Sequence, residues 1–159
     1  MLNDVWWFTN ILIALLTLIS VLLMYRQVKL FMLYSKANFR KELVLNFYTT
    51  REFREMFYKI EYGEFRYDPG EFHGGSTNEK VLDMMLAYLD VLGSLVRDEV
   101  LSIDDIKPLK YEILRIYRNE EVKKYLEFLK SWYSVNSVGR IPFEGFIWIS
   151  KKFLSEGDD

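Results

Sequence analysis

Three features predict an all-α chain, with one amino-terminal transmembrane helix followed by a small cytoplasmic helical bundle of about five helices. Residues 5–25, VWWFTNILIALLTLISVLLMY, form a run of 21 positions without a charge. Beyond them, apolar residues recur at three- and four-residue spacing in segments bounded by capping residues or turn formers. No strand-period alternation or internal repeat stands out in the sequence.

The uncharged run comes first. At a rise of about 1.5 Å per residue it covers about 30 Å, the thickness of a hydrocarbon core. Trp6 and Trp7 lie at its outer end and Tyr25 at its inner end, where amphipathic rings favour the headgroup region. Arg26 and Lys29 complete the inner anchor. Asp4 is the only acid before Glu42, whereas Arg26, Lys29, Lys36, Arg40 and Lys41 all follow the run. Cationic side chains are retained in the cytoplasm, so a single pass with the amino terminus outside and the rest inside is predicted. A cleaved signal peptide would carry its positive charge before the apolar run and end in small residues; Leu22-Leu23-Met24-Tyr25-Arg26 offers neither. Within the run, Asn10, Ala14, Thr17 and Val21 share one face, a spacing that permits self-association in lipid. The alternative is a lone helix with Asn10 near the headgroups.

Composition bounds the remainder. Of 21 basic and 23 acidic residues, the first 41 positions hold five and one, leaving 16 and 22 and a formal charge of −6. An acidic domain lacks the basic footprint that nucleic acid requires, while the collar beside the span suits anionic lipid. Cysteine is absent, which excludes disulfides, thiolate metal sites and cysteine nucleophiles. The predicted organisation is an anchor over 1–25, a basic juxtamembrane helix over 26–48, a cytoplasmic helical domain over 49–155 and a disordered tail over 156–159.

The elements follow in order. Residues 26–48 contain no Pro or Gly, so the spanning helix is expected to continue, with Val28, Phe31, Met32, Phe39, Leu43 and Phe47 at roughly helical spacing; a separate helix lying on the membrane is the alternative. Thr49-Thr50-Arg51-Glu52 has capping-box spacing, and Phe53, Met56, Phe57 and Ile60 mark one face of the helix it opens. Residues 63–78 are rich in Gly and turn formers and read as a loop. Ser76 to Glu79 repeats the capping-box spacing before a long apolar helix carrying Leu82, Met85, Leu86, Leu89, Gly93 and Val96. Val81, Tyr88, Val91, Leu92 and Leu95 widen its stripe. Gly93 reads either as a close-approach point or as a weak spot costing about 1 kcal/mol against Ala. Ser102 caps the next helix, with Asp104 and Asp105 near its positive end, Pro108 in or near its first turn, and Ile106, Leu109, Ile113, Ile116 and Tyr117 inward. Glu120 to Tyr133 follows, with Val122, Tyr125, Leu126, Leu129, Trp132 and Tyr133 along one side. A polar loop, Ser134 to Arg140, precedes a short helix opened by Pro142 and carrying Phe143, Phe146, Ile147 and Phe153.

Residues able to carry chemistry are sparse. His73 is the only imidazole, near Glu61, Glu64, Asp68 and Glu71, but neither calcium-loop nor zinc spacing is present, and a solvated acidic loop is the expectation. Gly74-Gly75-Ser76-Thr77 leads into a helix start yet lacks the Lys and spacing of a phosphate loop. Ser94, Ser102 and Ser131 have no identifiable base. No catalytic residue, cofactor or metal is therefore assigned. Arg97 reads as part of a solvated turn or as a clasp onto an acid of a neighbouring helix, and Trp132 and Trp148 as core anchors or a docking face.

The order of a single span, a basic connector, FYTTREFREMFYKI (47–60), VLDMMLAYLDVLGSLVRDEVLSIDDI (81–106) and VKKYLEFLKSWY (122–133) resembles an uncharacterised bacterial family of single-span, membrane-anchored proteins with a short helical cytoplasmic domain. That family has no assigned reaction, so the resemblance brings no active-site residues. It implies a bacterial inner-membrane protein. With the lack of convergent reactive groups, the expected function is protein–protein interaction or self-association by a non-enzymatic domain, with the lipid bilayer and another protein or a second copy as partners. The alternative is an effector of toxin or phage-defence type that oligomerises and disturbs the bilayer. Residues 61–78 and the final aromatic helix fall outside the resemblance and are candidates for a recognition surface.

Overall fold

The computed structural model describes residues 2–70, 72–136, 139 and 141–156, with side chains described from residue 6 onward. These residues are all-helical, with no strand among them. The chain divides into two compact units, Met1–Glu42 and Leu43–Asp159. Helix α1 (Leu2–Thr49) is uninterrupted. It forms the described part of the first unit and, from Leu43, opens the second.

Within the first unit, the helix is long and apolar enough to cross a membrane: its best 18-residue window has a mean hydropathy of 2.2, and none of that window is buried inside the protein. Two hydroxyls in this stretch are satisfied locally. Thr17 Oγ1 donates to the Ile13 carbonyl and Ser20 Oγ to that of Leu16, each at 2.8 Å.

The second unit contains α2 (Arg51–Glu61), α3 (Thr77–Arg97), α4 (Ile103–Ile106), a 3-10 turn (Lys107–Leu109), α5 (Lys110–Arg118), α6 (Glu120–Val135) and α7 (Glu144–Ser155). Helix α3 packs most extensively on α7 and also on α2, while α5 touches α2, α6 and α7. The apolar faces read from sequence supply the core. Phe53, Met56, Phe57 and Ile60 of α2 are buried, as are Leu82, Met85, Leu86, Leu89 and Val96 of α3 and Ile113 and Ile116 of α5.

The α3–α7 crossing is set by two glycines. A Cβ on Gly93 would lie 2.0 Å from the Gly145 carbonyl oxygen, and one on Gly145 would lie 2.3 Å from that of Asp90. Gly93 is a close-approach residue. The same crossing is pinned on either side of Gly93 along α3, both times at the start of α7. Asp90 Oδ1 accepts from the backbone amides of Gly145 (2.6 Å) and Phe146 (3.3 Å), serving as a cap donated by another helix. Arg97 Nη1 meets Glu144 Oε1 at 3.2 Å, so Arg97 is a clasp between helices, although an exposed pair contributes at most about 1 kcal/mol.

Several local expectations are corrected. The capping box at Thr49–Glu52 does not form: Thr49 belongs to α1, and the Thr49 and Thr50 hydroxyls donate back to the carbonyls of Leu45 and Asn46. Both hydroxyls serve the preceding helix, and Thr50 stands at the N-cap of α2 without a side-chain cap bond. The helix expected after Ser102 is broken. Pro108 has no amide and its ring opposes a regular α-turn, so residues 107–109 tighten into a 3-10 turn between α4 and α5. The final helix starts after Phe143, which takes a left-handed conformation (φ 53°), rather than at Pro142. Val91, placed in the apolar stripe by spacing, is 55% exposed. Trp148 packs against the core, but Trp132 is half exposed and is no core anchor. Of the polar loop and tail, Ser137, Val138, Arg140 and residues 157–159 lie outside the described residues.

Candidate functional site

The connection between α2 and α3, read as a solvated loop, is held inside the domain by its aromatic residues. Phe65 and Phe72 are each only 2% exposed. Their rings meet at 6.0 Å, and Phe72 also packs edge-on against Tyr67 and Tyr125, both at 5.2 Å. The Tyr67 amide donates to Glu121 Oε2 on α6 at 3.0 Å. Lys124, followed by this amide, holds the Glu121 carboxyl below its ordinary value.

The end of the segment is organised by Glu79. Ser76 Oγ accepts from the Glu79 amide, as a capping box requires, but the Glu79 carboxylate turns away from Ser76. Its two oxygens accept from the amides of His73 (2.9 Å) and Gly75 (2.7 Å). The glycine-rich turn therefore presents no open anion cradle, because the protein's own carboxylate occupies it.

His73 is thereby fixed in a left-handed conformation (φ 71°), which a non-glycine residue holds only when its surroundings over-determine it. Its ring stacks on Phe128 at 3.6 Å between centroids, and its Nε2 lies 2.9 Å from the Tyr67 hydroxyl oxygen. Its Nδ1 stands 3.9 Å from Glu79 Oε1. Beside this cluster, between α3 and α6, opens a cavity of 310 Å³ lined by His73, Glu79, Asp83 and the rings of Phe128, Trp132 and Tyr133, among others. A neighbouring cavity of 230 Å³ shares Asp83, Leu129 and Tyr133 with it.

Asp83 is the pivotal acid of the pair of cavities. Its Oδ1 accepts from the Tyr125 hydroxyl at 2.6 Å. Burial raises the Asp83 carboxyl above its ordinary value, against the opposing effect of the Tyr125 bond. Burial and the Asp83 bond likewise push the Tyr125 phenol up. Because the folded-state pKa of Asp83 exceeds the unfolded one, its contribution to stability is full below about 3.9, the ordinary Asp value, and is lost as pH rises through the folded value. Asp83→Asn removes that titration while keeping an acceptor for Tyr125. Denaturation of both proteins across an acidic pH series should show the wild type losing stability relative to the variant as pH rises; a constant difference would contradict it.

The residues flagged from sequence fall in separate places. Trp6, Trp7, Asn10, Ala14 and Thr17 lie on α1, and Trp6, Trp7, Asn10 and Ala14 share one shallow surface hollow along it. Tyr25, Arg26 and Lys29 lie exposed further along the same helix. The acids near His73 scatter. Glu61 instead joins α2 to α5, accepting from Tyr111 (2.6 Å) and Arg115 (2.7 Å). Asp68 turns back to the Gly70 amide, and Glu71 lies outside the described residues. Among the described residues, no group of three or more His, Asp or Glu stands ready to hold a metal ion. The combination missed from sequence was His73 with Glu79, Asp83 and Tyr125. Its signal was present, since Glu79 and Asp83 are four apart on one helix face, but their partners lie at positions 73 and 125.

Compared with protein-family models, curated proteins and solved structures, the chain matches none.

Proposed function

We propose that the chain is a single-pass protein of the bacterial inner membrane, related to the family it resembles. Its amino end lies outside and its cytoplasmic helical domain binds another protein or a second copy of itself rather than catalysing a reaction. The apolar part of α1 supports the anchor: it holds an 18-residue window of mean hydropathy 2.2, none of it buried among the described residues. The five basic residues from Arg26 to Lys41 support the orientation.

The observation that carries partner binding is on α3. Although this helix is the spine of the core, Met84, Ala87 and Val91 leave an exposed apolar strip along its outer side, at i, i+3 and i+7. Such anchors are how a helical face engages another helix. Bilayer disruption would instead rely on polar groups bonding between spans; Thr17 and Ser20 donate their hydroxyls to their own helix, which leaves Asn10 to supply that bond.

Crosslinking in native membranes, followed by gentle solubilisation, tests the reading. The wild type should capture a discrete neighbour, and the Met84→Glu/Val91→Glu double variant should lose at least nine-tenths of that product while remaining membrane-bound. A wild type that traps no neighbour and runs as a monomer in detergent would overturn it.

A further inference from the structure

The cavity between α3 and α6 has a chemical character that the partner-binding strip does not use. Its walls include Phe128, Trp132 and Tyr133, and its acids are Glu79 and Asp83. His73 is the one basic side chain among its lining residues, which include no Lys or Arg. Ring faces carry negative electrostatic potential and attract cations within about 6 Å of the centroid, most strongly at Trp. Carboxylates add net negative charge, and the aromatic walls favour a poorly hydrated cation with apolar substituents over a bare metal ion.

The two acids are unequally available. Both oxygens of Glu79 are engaged by backbone amides. Asp83 has only Oδ1 engaged, by Tyr125, leaving its Oδ2 without a hydrogen bond among the described residues. Trp132 is half exposed at the rim, so its ring is open to an entering ligand. The volume, 310 Å³, lies at the lower end of the range for small-molecule sites, about 300–1,000 Å³.

We propose that this cavity binds a small organic cation, an alkylated or quaternary ammonium, with Asp83 as its counter-ion and Trp132 and Tyr133 as its aromatic wall. Burial already disfavours the Asp83 charge, so an entering cation gains a carboxylate that water solvates poorly.

Isothermal titration of the full-length protein in non-ionic detergent with tetramethylammonium and choline, against sodium at equal ionic strength, tests the site. Saturable binding of both organic cations, with at least tenfold weakening in Asp83→Asn and in Trp132→Ala, is the expected result. Far-UV circular dichroism and thermal midpoints confirm that both variants fold. Glycerophosphocholine distinguishes the source. Binding equal to that of choline identifies a lipid headgroup, and weaker binding a free cation; either outcome supports an ammonium site. A response no greater than that of sodium, or one unchanged in both folded variants, would overturn the proposal. Met84 and Val91 do not line the cavity, so the double variant that tests partner binding should retain the cation response.

Discussion

Replacing Gly93 by alanine is expected to destabilise the helical domain by about 3 kcal/mol or more, near the upper end of what overpacking usually costs. In an isolated helix the same change would be favourable by about 1 kcal/mol, since glycine is the poorer helix former. The two effects have opposite signs, and the geometry decides between them. The new Cβ would stand 2.0 Å from the Gly145 carbonyl oxygen and 2.4 Å from its carbon. Those are backbone atoms of a helix, so no rotamer change relieves the clash. Helix α7 must back away from α3, which also loosens the bonds from Asp90 to the Gly145 and Phe146 amides. Gly145→Ala should behave similarly, because its Cβ would meet the Asp90 carbonyl oxygen at 2.3 Å and the Ser94 amide at 2.9 Å. Combining the two should not restore stability, since each collides with main chain. Chemical denaturation monitored by circular dichroism checks this; a Gly93→Ala midpoint equal to or above the wild type would refute the close crossing.

The second large effect concerns α1. Converting Leu15 and Ile19, one turn apart in the uncharged run, to arginine should shift the protein out of the membrane fraction. Each arginine near the centre of a span costs about 2.5–3.5 kcal/mol on insertion scales, so the pair removes about 5–7 kcal/mol. Carbonate extraction of cells expressing either version supplies the measurement. Equal retention of both in the pellet, or a wild type that stays in solution after high-speed sedimentation without detergent, would remove the basis for an anchor.

The helical faces were legible because burial on a helix follows spacing. Leu82, Met85, Leu86, Leu89, Gly93 and Val96 were read as one side of a helix, and all six are buried. What failed was information held outside the element concerned. Val91 satisfied the apolar pattern, but among the described residues its side of α3 is left exposed. The two threonines before α2 had the spacing of an opening cap, yet the preceding helix extended far enough to use them first. Gly93 could not be judged until the position of Gly145, more than fifty residues later, was known. The site shows the same limit. Glu79 was seen as a cap residue and His73 as an isolated imidazole. What joins them is a chain reversal around Phe65 and Phe72, two apolar residues in a stretch otherwise composed like a solvated turn.

That reversal bears on how the molecule can be handled. A glycine- and charge-rich connection usually invites an epitope, a fluorophore or an engineered cleavage sequence, because such stretches tolerate insertion. Between Phe65 and Phe72 the opposite holds: added residues would withdraw two rings from the interior and release Tyr67 from Glu121. A reporter grafted there would register the unravelling of its host.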